Sequence, residues 1–321
     1  MTSALSLRGV VKAFGNHVAV KGVSFEVPRG VVYGVLGPNG AGKSTTLRMI
    51  NDIFAPDEGE IVVLDGLRPG PDAARRIGYL PEERGLYPKM QVADMIELMA
   101  ELRGLSRGEA RTRTRHWLDR LGLAAWAKNK VQDLSKGMQQ KVQFATALIH
   151  EPELVILDEP WSGLDPINAE VLRQVVDDIR ASGRTVLFST HQMEQAEKIV
   201  DHVCIIARGE KLLDGKLKDI QRREAADRAI ALSFAGDRAA ADRVLADRAL
   251  VASQRASEAA DCEAVLAEGV APQQLLAALV AAGAPLRRFE IVTPSLHQIF
   301  VDRVGAAAAV AARSPEPGSA A

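Results

Sequence analysis

The sequence lacks the features of several common protein classes. Its 321 residues include two cysteines, Cys204 and Cys262, too few for a disulfide framework or a zinc site. Cys204 sits in the apolar run HVCIIA and reads as a small buried hydrophobe. Neither sign of charge is in excess: forty basic residues face forty-one acidic ones, for a net charge of −1. Nothing in the composition therefore calls for nucleic acid or an anionic surface, and phosphate binding would have to come from a local site. Long hydrophobic runs are missing too. The longest uncharged stretch, GVAPQQLLAALVAAGAPL over 269–286, contains two prolines and two glutamines, whereas a membrane span needs about 20 predominantly apolar residues. The opening MTSALSLRGVVKAFG has no basic stretch followed by a long apolar one, the pattern of a secretory leader. The expectation is a soluble, cytoplasmic chain.

A hydrophobic content of 47% and a charged content of 25% match an ordinary globular protein, and the length allows two domains. Up to about residue 220, apolar β-runs alternate with amphipathic helical stretches, the order of an α/β domain. VVYGVLG and ELVILDE are nearly uninterrupted apolar runs, suited to strands covered on both faces. Between about 88 and 150 the strand pattern fades. VADMIELMAELRGL and GEARTRTRHWLDRLGL read as helices ending near glycines, a helical insert in the 1–220 domain. From 221 to 304, AIALSFAG, DRAAADRVLAD, ALVASQRAS, CEAVLAEG, PQQLLAALVAAGA and LRRFEIVTP follow the order β-α-β-β-α-β, a small ferredoxin-like α+β domain. Residues 305–321 carry few core-forming side chains and are expected to be a disordered tail.

The chemistry concentrates at the ends of apolar runs. GPNGAGKST, residues 37–45, fits the phosphate-loop pattern G-x-x-x-x-G-K-[ST], with an apolar strand before it and a helix after it. Gly37, Gly40 and Gly42 let the backbone curl so that successive N–H groups face phosphate oxygens. The N-terminus of the following helix adds positive potential. Lys43 can neutralise β- and γ-phosphates, and the Ser44 hydroxyl can ligate Mg²⁺. Pro38, Asn39, Ala41 and Thr45 complete the loop. LVILDEP, residues 154–160, supplies the carboxylates: Asp158 to hold Mg²⁺, and Glu159 to polarise an attacking water as general base. TVLFSTHQ, residues 185–192, ends another apolar run on His191, placed to reach the γ-phosphate.

Together with LSKGMQQKV (134–142), SGLD (162–165) and STH (189–191), in this order, these motifs resemble the ATP-binding cassette (ABC) family over about residues 5–220. The resemblance implies subunits that dimerise head to tail and bury two ATPs at the interface. Each ATP would touch one subunit's phosphate loop and the other's signature phrase. Ser135, Lys136 and Gly137 take the signature positions, Asp165 the position that links the two sites, and Phe14 that of the aromatic stacked on adenine.

Two departures stand out. The signature phrase normally has glycine and glutamine where this chain has Lys136 and Met138. Ser135 is a good N-cap, and a lysine in the first turn opposes the helix dipole by about 0.3–1 kcal/mol, a penalty an incoming γ-phosphate can offset. The site is expected to work, the alternative being a degenerate site that needs a different partner subunit. In IGYLPEERGLYP many relatives carry glutamine where this chain has Glu82, which can serve as a further Mg²⁺ ligand. That loop and the closing phrase TPSLHQIF resemble a subgroup of sodium- and drug-export type. The resemblance thus implies an ATPase subunit that uses ATP and Mg²⁺, pairs with a second copy, and drives a separate membrane permease from the inner face of the membrane, with no nucleic-acid partner. The alternative on the same motifs is a soluble ABC ATPase acting on ribosomes or DNA. The single phosphate loop and the absence of a heptad array or basic patch weigh against it.

Overall fold

The computed structural model describes residues 3–83, 85–225, 229–257 and 260–311. The chain divides into two compact units, Met1–Lys216 and Leu217–Ala321. The division falls just ahead of the composition change at about 221, because helix α8 (Leu217–Ala225) packs on α11 (Leu296–Ala311).

In the first unit, β1 (Ser3–Phe14), β2 (His17–Pro28) and β4 (Glu58–Val63) form an antiparallel sheet in the order β2-β1-β4. A six-stranded sheet follows the order β5-β6-β7-β3-β8-β9. Its strands are β3 (Val32–Leu36), β5 (Ile77–Leu80), β6 (Leu154–Asp158), β7 (Thr185–Thr190), β8 (His202–Ala207) and β9 (Glu210–Lys216). All neighbours are parallel except β8 and β9. Strands β3, β6 and β7 are buried at every position, as their unbroken apolar sequences require of parallel strands covered on both faces.

Helices α1 (Lys43–Ile50), α2 (Pro71–Ala74), α6 (Pro166–Ala181) and α7 (Met193–Glu197) connect these strands. The expected helical insert contains α3 (Val92–Leu102), α4 (Arg107–Arg120) and α5 (Lys136–Leu148). A capping box starts α4: Ser106 Oγ accepts from Glu109 N at 3.4 Å, and Glu109 Oε2 accepts from Ser106 N at 3.0 Å.

Register places the site. Leu36 pairs with Thr190 and Asp158 with Ser189, so β3, β6 and β7 finish side by side. The carboxyl ends of parallel strands are where open α/β sheets bind ligands.

The second unit contains β10 (Ala229–Phe234), α9 (Ala239–Leu245), β11 (Val251–Arg255), β12 (Cys262–Leu266), α10 (Pro272–Ala281) and β13 (Leu286–Ile291). Its antiparallel sheet has the order β11-β12-β10-β13. A core of Ile230, Leu232, Leu245, Leu266, Leu275 and Leu279 joins sheet and helices. Residues 305–311, expected to open a disordered tail, instead continue α11. Residues 312–321 lie outside the described residues.

Candidate active site

The phosphate loop bridges β3 and α1 in a conformation only its glycines allow. A Cβ on Gly37 would lie 2.0 Å from the Ile206 carbonyl oxygen. Gly42 has φ 100°, and its Cβ would meet the Ala19 carbonyl at 2.5 Å. Gly37 N donates to Thr190 O at 3.3 Å, fastening the loop to the end of β7.

Lys43 is 5% exposed, and its Nζ donates to the loop's own carbonyls, Gly37 O at 2.8 Å and Pro38 O at 3.1 Å. Burial pushes its pKa down, opposed by the carboxylates of Glu159, Asp158 and Glu82. Its ammonium lies 3.7 Å from Glu159 Oε1.

Asp158 is buried. Its Oδ1 accepts from Ser44 Oγ at 3.1 Å and from Ser189 Oγ. Its Oδ2 is buried without a hydrogen-bond partner among the described residues. Burial raises the Asp158 pKa more than the two serine hydroxyls lower it. An anionic oxygen left unbonded beside a serine hydroxyl suits a hard cation such as Mg²⁺.

Glu159 is also buried and has φ 47°, a left-handed conformation uncommon away from glycine. Its N–H donates to Ser189 O at 3.1 Å. Thr190 Oγ1 donates to Oε2 at 3.0 Å, and His191 N donates to Oε1 at 3.0 Å. His191 Nδ1 lies 2.8 Å from Oε1. A carboxylate accepts only, so that ring nitrogen carries the hydrogen.

A cleft of about 510 Å³ gathers Phe14, Asn39–Thr45, Glu82, Glu159 and His191. Phe14 is 49% exposed and meets Phe54 edge-on, with ring centroids 5.5 Å apart. Lys12 Nζ lies 5.8 Å from the Phe14 centroid and is held by Asp57 Oδ1 at 2.7 Å. Glu82 faces the cleft, whereas its neighbour Glu83 pairs with Arg48 at 4.0 Å.

Ser135, Lys136, Gly137 and Asp165 do not line this cleft. They cluster at the N-termini of α5 and α6. Ser135 caps α5, accepting from Met138 N at 3.3 Å. Asp165 caps α6, accepting from Asn168 N at 3.0 Å, and a Cβ on Gly137 would lie 3.2 Å from Asn168 Nδ2.

Sequence reasoning missed Ser189 and Thr190, which hold the two acids, as well as His17, Ala19 and Ser162 in the cleft wall. The signal for the first two was present: adjacent hydroxyls close an otherwise apolar strand.

The chain is similar to known proteins along most of its length. The family model described as "ABC transporter" matches residues 20–162. The model described as "ATP-binding protein DrrA1-3-like, C-terminal domain" matches residues 215–304. The chain is 40% identical over 306 residues to the uncharacterized ABC transporter ATP-binding protein YhaQ of Bacillus subtilis (strain 168), covering 94% of this chain and 99% of that protein. It is 37% identical over 235 residues to the linearmycin resistance ATP-binding protein LnrL of the same organism, covering 72% of this chain and 75% of that protein. Among solved structures, the dimeric post-hydrolysis state of the ATP-binding cassette MJ0796 bound to ADP and Pi is similar, with a TM-score of 0.61 and 28% identity over 66% of this chain and 98% of that one. The chain belongs to the ABC transporter ATP-binding proteins, a family of ATPases.

Proposed function

We propose that this chain is the ATP-driven subunit of a two-component membrane exporter, working as a head-to-tail pair of identical chains around two Mg-ATP. The observation that carries the reading is the buried Glu159 carboxylate, held by Thr190 and His191 with the Lys43 ammonium 3.7 Å away.

Lys43 would exchange the Gly37 and Pro38 carbonyls for β- and γ-phosphate oxygens. The loop N–H groups of Asn39–Thr45 would cradle the phosphates, and Phe14 would stack on the adenine. Ser44 and Asp158 would hold Mg²⁺, with Glu82 as a further oxygen donor. Bound there, Mg²⁺ would neutralise charge on the phosphate oxygens. Glu159 would take the proton of the attacking water, and His191 would orient that carboxylate while facing the γ-phosphate.

Ser135, Lys136 and Gly137 lie outside the cleft with their helix N-terminus exposed, which favours service to the nucleotide of a second copy. The lysine adds a cation where a γ-phosphate would arrive. Asp165, beside Gly137 through Asn168, would link the two sites.

No helix among the described residues is long and apolar enough to cross a membrane. Membrane work therefore calls for a separate permease, which would hold this chain at the inner face. The linearmycin resistance relative favours outward movement of a drug-like molecule, and the closing phrase TPSLHQIF, which resembles the sodium- and drug-export type, keeps sodium ions as an alternative cargo. A relative named as an ABC transporter ATP-binding protein, 40% identical over 94% of this chain, disfavours the reading as a ribosome- or DNA-acting ATPase.

Two experiments test the proposal. Light scattering of Glu159→Gln should report a dimer that appears with saturating Mg-ATP, and a monomer under those conditions would overturn the homodimer. Affinity purification of the chain from gently solubilised cells should bring a multi-span membrane protein in stoichiometric amount. Recovery of ribosomal proteins or DNA instead would overturn the transporter role.

A further inference from the structure

Helix α5 carries Ser135 at its start and turns two glutamines into the interior. Gln140 and Gln143 are each 4% exposed and lie three residues apart, on one face of the helix. Gln140 Nε2 donates to Pro160 O at 3.2 Å, at the residue that follows Glu159. Gln143 Nε2 donates to Pro81 O at 2.9 Å and to Glu83 O at 3.2 Å, the carbonyls on either side of Glu82. One turn earlier, Gln139 Nε2 donates to Leu134 O at 3.1 Å and fastens the turn that presents Ser135.

We infer that Gln140 and Gln143 are positioning residues that tie the loops bearing Glu159 and Glu82 to the helix headed by the signature turn. The inference rests on the roles proposed above for those two acids.

Three features favour positioning over packing. First, burying an amide against one carbonyl, as at Gln140, or two, as at Gln143, gains little over a well-packed apolar side chain, so stability alone does not call for glutamine here. Second, the Gln143 amide has one workable orientation. Its Oε1 is buried without a partner among the described residues, and rotating the amide would set that oxygen against two carbonyl oxygens. The side chain thus leaves an acceptor unmatched in order to hold both flanks of Glu82. Third, Glu159 sits in a left-handed conformation, which persists only where its surroundings over-determine it. Ser189 holds its N–H, and Gln140 holds the next carbonyl. A shift of α5 would move both acids together, so engagement of the signature turn would reach the cleft of the same chain.

The test compares Gln140→Met and Gln143→Met, which keep side-chain length and remove the donor, with Glu159→Gln as control. Gln140→Met should lower kcat by about tenfold or more with little change in the KM for ATP, as expected when a reacting group is misplaced rather than removed. Gln143→Met should raise the Mg²⁺ concentration for half-maximal rate. Both should melt close to the parent. If either melts early, Gln140→Leu and Gln143→Leu, which also remove the donor without burying a new polar group, should show the same losses per folded chain. Parent values of kcat and of the Mg²⁺ midpoint in all glutamine variants, with Glu159→Gln inactive, would overturn this inference alone. An active Glu159→Gln would overturn the assignment of the base and this inference with it.

Discussion

The two units of the chain bury different things. Every buried polar or charged residue among the described residues, from Lys43 through Asp158 and Glu159 to Thr190, belongs to the first unit. The second unit buries an apolar core and keeps its ion pairs, such as Arg238 with Asp242 at 2.8 Å, on its surface. A buried charge is costly unless it is paired or bonded. A unit that concentrates such groups at the ends of three adjacent strands is built around a reaction. The second unit buries no such group among its described residues.

This division is open to breakage from either side. After Glu159→Gln, the largest effect is expected for Lys43→Met, which keeps the volume and removes the cation. Hydrolysis should fall by about 10²–10³, the loss typical of removing one fixed stabiliser of developing charge, while circular dichroism reports a folded chain. Next, Leu279→Ala should destabilise the second unit by about 2–5 kcal/mol in a denaturant titration, with the hydrolysis rate of the folded chain unchanged. A comparable fall in rate would show that the two units are not separable in function. Phe14→Ala should raise the KM for ATP, since stacking of a base on an aromatic ring is worth about 1–3 kcal/mol. Binding of inorganic triphosphate should not change.

The last effect is confined to acidic pH and concerns the stability of the first unit through His150, which lies outside the cleft. Its Nε2 lies 3.1 Å from Ile77 O. Burial, followed by the charges of Arg103 and Arg113, pushes its pKa from 6.5 down to about 4. Between those values the unfolded chain binds a proton that the folded chain refuses, so stability falls as pH drops from 6.5 to about 4. His150→Gln should flatten thermal stability across that window, and an unchanged slope would remove His150 as its cause.

Much of the site was legible because it lies where apolar runs stop abruptly. VVYGVLG, LVILDE and TVLFST each hold a strand, and the residues at their ends meet in the candidate site. The β-α-β-β-α-β order of the second unit was legible for a similar reason, since turn residues separate its runs. Its weakest run became β11, an edge strand in which only Val251 is buried. The sheet formed by β1, β2 and β4 was not read. Register shifts interrupt the pairing of β1 with both neighbours, so strict alternation fails along its length. Gln140 and Gln143 were invisible for another reason: a buried amide declares itself only through the carbonyls it meets, and those lie in loops far away along the chain.

The most direct test of the account is the Mg-ATP hydrolysis rate of Glu159→Gln beside the parent chain, with ATP affinity measured in parallel. The rate should fall by about 10²–10⁴, the contribution typical of a positioned general base, with affinity preserved. Hydrolysis at the parent rate would contradict the central claim that the Glu159 carboxylate, held by Thr190 and His191, is the catalytic base.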